Sequence, residues 1–520
     1  MHFGVSAICA LAIAAGTPAM HLPGHANPLV VKTEQGHVRG KYIDARRARA
    51  FLGIPFAAPP TRDLRWRPPQ PPGRWKGVRD ASQYGHRCMQ GRMYADMIFQ
   101  DSGPSEDCLY LNVFTPAKAG PRKKLPVMFW IHGGGFQAGS ASEPRHNGDF
   151  LPLKGVVLVT INYRLGVFGF LATPGLAQEG NGAAGNYGLM DQVAALKWVH
   201  ANIRAFGGNS DNVTIFGESA GSESVSALMA ATPAQPYFQK AIGESGAEMK
   251  LGESGTPTLE EVEERGQTWA EALDAASPAE LRALPAEKLL DAALKKGAPH
   301  FAPVIDGKLL IEPVAASYAA GRQAHVPLLA GWNRDENTRL ATGMTTRKWR
   351  QFAQDRFGDR AEEFLRLFPG DTDEEAAQSA IAYGSATFIA LDTWRWIEAQ
   401  RKTGNAPVYR YHFELPAPRS EFHPGGYTFH SDDIEYVFGT LGTRPGAEWR
   451  PDDLRLSDAM MTYWTNFAKH GNPNGPGAPD WPPYNDDDLV IHLKRVISVG
   501  PSTVRAQYEF LHEVLPTEKQ

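Results

Sequence analysis

Charge is missing first. Residues 1–31 contain no Lys, Arg, Asp or Glu, and over all 520 residues 53 basic against 57 acidic side chains leave a net charge of −4. With no basic surplus to build a positive field, binding of nucleic acid or of an anionic lipid surface is not expected. Long apolar runs are also missing. The stretch Val5–Ala15 is eleven residues long, too short to span a bilayer, and no later run reaches the ~18 residues a membrane helix needs. The short run reads instead as the apolar region of an export signal, with small residues at Thr17/Ala19 and Gly24/Ala26 offering cleavage points. Residues 1–26 are therefore expected to be a signal peptide and the mature protein to be secreted or periplasmic. Linkers and internal repeats are lacking too, and Gly plus Pro (52 and 40 residues) stays below the level that marks disorder. Residues 28–520 read as one domain.

Cysteine is scarce, three in the chain. Cys9 leaves with the signal, and Cys88 and Cys108 remain as an even pair, 20 residues apart, that export allows to oxidise. Two sulfurs without neighbouring histidines are too few for a metal site, so a disulfide is expected, worth about 3 kcal/mol by loop-closure entropy.

What is present alternates. Leu29–Thr33 and Gly36–Gly40 suggest a hairpin, and Pro55–Pro72 is too rich in proline for a helix or a central strand. Val127–Ile131, Val156–Ile161 and Val213–Phe216 are continuous apolar runs, as in strands buried on both faces of a parallel sheet. Between them, Val193, Leu196, Val199 and Ile203 recur at helical spacing and Gly207 and Gly208 follow as a stop. Strand, helix and strand in turn predict an α/β architecture. Val326–Ala330, Val408–Phe413 and a closing hairpin from Leu489 to Val499 extend the sheet, while 257–300 and 345–402 read as exposed helical insertions.

The most informative segment is Gly217-Glu218-Ser219-Ala220-Gly221, directly after the Val213–Phe216 strand and before a helical pattern. A strand turning sharply into a helix projects the middle side chain alone, flanking glycines remove Cβ clashes, and the helix N-terminus offers unpaired N–H groups. Ser219 is the candidate nucleophile. A hydroxyl needs a base, and the oxyanion of a tetrahedral intermediate needs fixed donors. His132-Gly133-Gly134-Gly135-Phe136 follows the Val127–Ile131 strand, so the N–H groups of Gly134, Gly135 and Ala220 are the expected donors. In this architecture the acid and then the base follow the serine in the chain. Asp335 and Glu336 both stand just past the Val326–Ala330 strand, and either can orient an imidazole. Among 16 histidines, His430 falls in a loop beyond Val408–Phe413, whereas His412 lies inside that strand as a packed side chain.

These segments resemble the type-B carboxylesterase family of the α/β-hydrolase fold, the group that includes carboxylesterases and cholinesterases. The resemblance runs through Phe51–Ala57, Leu64–Trp66, Ser105–Asn112, His132–Phe136, Asn162–Gly169, Gly185–Gln192 and Phe216–Gly221, and the chain is similar to the bacterial-type, secreted members. It implies a large, mixed, mostly parallel sheet flanked by helices, with Ser219 as nucleophile, Glu336 as triad acid and His430 as base. It further implies that Glu218 is the carboxylate beside the triad, that Ser245 supports the acid, and that Cys88–Cys108 is the N-terminal disulfide. One position departs: Asn337 follows the acid where the family usually has Gly, a substitution that a left-handed backbone tolerates in Asn.

The implied reaction is ester hydrolysis through an acyl-enzyme on a small-molecule ester, with no metal or organic cofactor. Because the base must be neutral, activity is expected to fall with acidification through roughly pH 6.5, the ordinary imidazole value, shifted by its carboxylate partner. A non-catalytic scaffold of the same fold and an amidase or peptidase with the same triad are the alternatives. The pocket is expected from Tyr94–Phe99 and the insertions, with Arg339 and Arg347 near the acid's loop read as solvated surface.

Overall fold

The computed structural model describes Met1 and residues 28–250, 255–476 and 479–515. Apart from Met1, the expected signal segment lies outside the described residues, as does Cys9. The sheet strands are β1 (Lys41–Ile43), β2 (Ala48–Pro55), β3 (Tyr110–Pro116), β4 (Leu125–Ile131), β5 (Val157–Ile161) and β6 (Gly208–Glu218). They continue with β7 (Lys240–Glu244), β8 (Leu328–Asn333), β9 (Val408–Phe413), β10 (Leu489–Leu493) and β11 (Ser498–Pro501). Their spatial order is β11-β10-β9-β8-β7-β6-β4-β5-β3-β2-β1. From β10 across to β5 every pairing is parallel, and the two margins are antiparallel.

The unbroken apolar runs have their cause here. Phe129 and Ile131 of β4 join the core on one face, while Met128 and Trp130 join a second core on the other. Both faces exclude water, so neither set can be polar. The helix expected around 191–204 spans Tyr187–Asn202 and is buried on several sides. The expected hairpin pairs Val30–Lys32 with His37–Arg39, and the closing one pairs β10 with β11. Cys88 and Cys108 are bonded through their sulfurs, with Cα atoms 4.9 Å apart.

Both insertions are helical. Thr258 and Ser277 form capping boxes with Glu261 and Glu280, and Thr345 and Thr372 accept hydrogen bonds from the backbones of Lys348 and Glu375. The expectation of exposed helices fails for 345–402. Trp349, Phe364, Trp394 and Trp396 are buried, Phe357 and Phe364 stack at 4.4 Å, and Trp349 donates through Nε1 to Phe368 O at 2.9 Å. The widely spaced aromatics join the same core as Phe129 and Ile131 of the sheet.

Candidate active site

The junction between β6 and the helix Ala220–Ala230 holds a strained backbone. Ser219 takes φ 56° and ψ −126°, a region a residue with a Cβ seldom occupies. The surroundings hold it there: Ser219 N–H donates to Glu244 O of the neighbouring strand at 2.9 Å. A Cβ at Gly221 would stand 2.0 Å from Ile131 O at the end of β4, so the strand and the first helical turn approach closely enough to admit only glycine.

The loop His132–Phe136 leaves the end of β4 beside this junction. Gly134 has φ +104° and Gly135 φ +62°. The N–H groups of Gly134, Gly135 and Ala220 donate to no other group among the described residues, and all three residues line one cavity with Ser219. Ala220 opens its helix, so a free N–H is inherent to its position. Beneath the loop, His132 stacks on Tyr163 at 4.5 Å. Burial pushes its pKa down to about 4, which keeps the ring neutral.

On the other side of the cavity, β8 ends at Asn333 and delivers Glu336. This carboxylate accepts from Ser245 Oγ at 2.5 Å and from Asn333 N–H at 2.7 Å through Oε1, and its Oε2 lies 2.6 Å from His430 Nδ1. Ser245 is itself held at φ 49°. Asp335, the other acid in that loop, turns away and accepts from Thr428 N–H at 2.9 Å and from Arg334. The sequence's ambiguity between the two neighbours is thus resolved by geometry. Asn337 does not take the expected left-handed backbone. Its N–H donates to Ser385 Oγ at 3.2 Å, and its own Oδ1 accepts from Arg339 N–H at 3.1 Å, so the side chain turns the loop where the backbone was expected to. Arg339 and Arg347 are both exposed, in line with solvated surface, and Arg339 also lines the cavity.

His430 and Ser219 line the same cavity, but no hydrogen bond joins them among the described residues; His430 Nε2 lies 3.3 Å from Glu218 Oε1. Catalytic hydrogen bonds are often long or unformed before substrate arrives. Glu218 is buried and accepts from Ser431 Oγ at 2.6 Å. Burial alone disfavours imidazolium, but Glu218 and Glu336, with Asp433 behind them, overcome it and hold the His430 pKa up to about 9. The shift from the ordinary value near 6.5 that a carboxylate partner is expected to cause is thus upward. Burial in turn raises the pKa of Glu218, and that of Asp433, which the carboxylates of Glu218 and Glu336 raise further. Asp433 accepts from Tyr411 Oη at 3.0 Å and Asn333 Nδ2 at 3.2 Å.

The sequence reading did not find Asp433 or Phe388. Asp433 follows His430 by three residues, the one local signal available. Phe388 lies on a π-helical turn, Ala386–Ala390, that interrupts the second insertion, and its ring stands edge-on to His430 at 5.0 Å. The cavity has a volume of about 1390 Å³. Tyr94, Asp96 and Met97 form one wall, residues 256–266 and 299–305 a second, and Phe388 with Ile389 a third.

A parallel sheet whose central strand turns through a strained serine into a helix, beside a glycine loop of free N–H groups, defines a serine hydrolase of the α/β-hydrolase fold. Within that class the chain belongs to the carboxylesterase family, whose model matches residues 27–511, and it is a carboxylic ester hydrolase. It is 35% identical over 497 residues to the fumonisin B1 esterase of Sphingopyxis macrogoltabida, covering 91% of this chain and 87% of that one. It is 34% identical over 512 residues to the para-nitrobenzyl esterase of Bacillus subtilis, covering 92% and 98% respectively. Among solved structures, a Geobacillus stearothermophilus carboxylesterase superposes with a TM-score of 0.79 at 32% identity, covering 92% of this chain and 99% of that chain.

Proposed function

We propose that ester hydrolysis proceeds through an acyl-enzyme on Ser219. His430 takes the hydroxyl proton as Oγ attacks the ester carbonyl, and the N–H groups of Gly134, Gly135 and Ala220 receive the developing oxyanion. The alcohol leaves with the proton from His430. Water, deprotonated by the same ring, then attacks the acyl carbonyl, and the carboxylic acid and free Ser219 are released. Glu336 fixes the Nδ1–H tautomer of His430, Ser245 positions Glu336, and Glu218 stabilises the imidazolium.

The observation that carries this reading is the meeting of a serine at φ 56° with three unengaged N–H groups on one cavity wall. The cavity exceeds the roughly 300–1,000 Å³ usual for drug-sized ligands, which favours bulky esters. Export through the 1–26 segment suits a chain with a Cys88–Cys108 bond. Incubation with a fluorophosphonate followed by intact and peptide mass spectrometry is expected to place one adduct on Ser219. A folded protein that stays unlabelled there overturns the reading. Matched ester and anilide substrates separate esterase from amidase, with hydrolysis of the ester alone expected.

A further inference from the structure

His412 of β9 and His492 of β10 stand opposite each other in the parallel ladder, and Glu414 follows His412 by two residues, which returns it to the same face. The backbone fixes all three. Glu414 N–H donates to Leu493 O at 2.8 Å, so the carboxylate is carried by the ladder and not by a free loop. Both rings turn Nδ1 toward one oxygen: His412 Nδ1 lies 3.0 Å from Glu414 Oε1, and His492 Nδ1 contacts the same atom. One donor atom from each residue lies within 4.8 Å of the other two. The side chains are 15%, 13% and 18% exposed, so the group is held firmly yet reaches water.

Two imidazole nitrogens and one carboxylate oxygen thus converge on one point, and these are the ligand types of a transition-metal site. We infer that His412, Glu414 and His492 form a binding site for a divalent transition ion of the zinc class. Two nitrogens and one oxygen, with water in a fourth position, match the ligand types and number of an open zinc site. Bonds of about 2.0–2.2 Å set tetrahedral ligands about 3.4 Å apart, so Glu414 Oε1 backs away from both Nδ1 atoms as the ion enters, a side-chain adjustment that leaves the strands in place. On binding, each neutral ring carries its hydrogen on Nε2 and gives its Nδ1 lone pair to the ion. Lys494 Nζ is 3.9 Å from the other oxygen, Oε2, on a side chain 43% exposed, and swings into water as the ion arrives. Arg334 is held by Asp335 at 2.7 Å, and Arg410 by Asp488 at 3.1 Å. The site lies outside the cavity that contains Ser219, so no step of ester hydrolysis passes through it. Its effect is mechanical: it clips β9 to β10, whose ladder consists of Tyr411–Phe413 against Ile491–Leu493.

Full-length, tag-free protein stripped with EDTA and desalted is titrated with Co²⁺ and followed by visible absorption, then challenged with Zn²⁺. The expected result is one Co²⁺ per chain with the intense bands of a low-coordinate site, displaced by Zn²⁺, and a melting temperature raised by Zn²⁺ and lowered again by EDTA. Glu414→Gln and His492→Asn are each expected to abolish the Co²⁺ bands and leave ester hydrolysis unchanged. Absence of Co²⁺ and Zn²⁺ binding by the unaltered protein overturns the inference, as does undiminished binding in either variant. Should a variant lose hydrolysis through misfolding, the unaltered protein still decides: Zn²⁺ is expected to shield His412 and His492 from diethylpyrocarbonate, and equal modification with and without Zn²⁺ overturns the site.

Discussion

Between Val213 and Ser245 the chain passes through two non-glycine residues with positive φ, Ser219 and Ser245, and buries Glu218 and Glu244 among apolar strands. Between Thr346 and Thr403 it does the opposite, with capped helices closing on Trp349, Phe364, Trp394 and Trp396. The first region holds strain and buried charge, each of which costs free energy. The second holds apolar packing that lowers it, and it reaches the cavity through Phe388 and Ile389. The lesson is a division of labour: the reacting groups sit on strained backbone beside buried charge, and the apolar packing of the insertion against the same sheet helps offset the cost.

Substitutions that touch one region and spare the other test this contrast. The largest effect is expected from Ser219→Ala, with turnover falling on the order of a millionfold, as for a subtilisin-type serine, while the denaturation midpoint holds or rises. A stable variant that still turns over breaks the contrast at its centre. Trp349→Ala is expected to reverse the pattern. Loss of a buried indole costs about 3–5 kcal/mol in chemical denaturation, with kcat/KM at low temperature nearly unchanged; a cost near zero would mean that the insertion is the exposed decoration its composition suggests. Gly221→Ala acts on both quantities. Its Cβ meets backbone at 2.0 Å, so a loss of about 1–3 kcal/mol is expected together with a fall in kcat as Ser219 is displaced.

The smallest effect is a shift in pH dependence. His430, with its pKa held up to about 9, is protonated below that value and cannot accept the serine proton. Accordingly, kcat/KM is expected to rise with pH toward about 9, and Glu218→Gln is expected to move the midpoint down toward the ordinary imidazole value. Stability runs the other way. A pKa raised above the unfolded value near 6.5 contributes stability that is fully present below about pH 6.5 and is lost as pH rises through about 9. Identical profiles for the two proteins would remove Glu218 as the cause.

The two regions also differ in how much of them the sequence reveals. The junction at Ser219 is legible because its causes are local: an apolar strand, two glycines required by close backbone approach and a helical pattern lie within a few consecutive residues. The order of β4, β6, β8 and β9 is legible for the same reason. Glu336 and His430 needed a family resemblance, since Asp335 is chemically equivalent and lies one residue away, and only the side-chain directions separate them. Phe388 was not legible at all. Its placement depends on a π-helical turn within a long helical stretch, and nothing in the composition of 373–403 marks it. Aromatics scattered from Trp349 to Trp396 likewise give no sign that they converge, because the contacts that unite them span most of the insertion.

The ring of acid groups around His430 has a further consequence for the end of the catalytic cycle. Hydrolysis turns a neutral ester into an anion, and that anion is born facing Glu218 and Glu336, with Asp433 close behind. The carboxylates that favour a cationic ring oppose the product's charge, while the free N–H groups of Gly134, Gly135 and Ala220 and the protonated ring attract it, so inhibition by free carboxylic acids is expected to weaken as His430 loses its proton with rising pH.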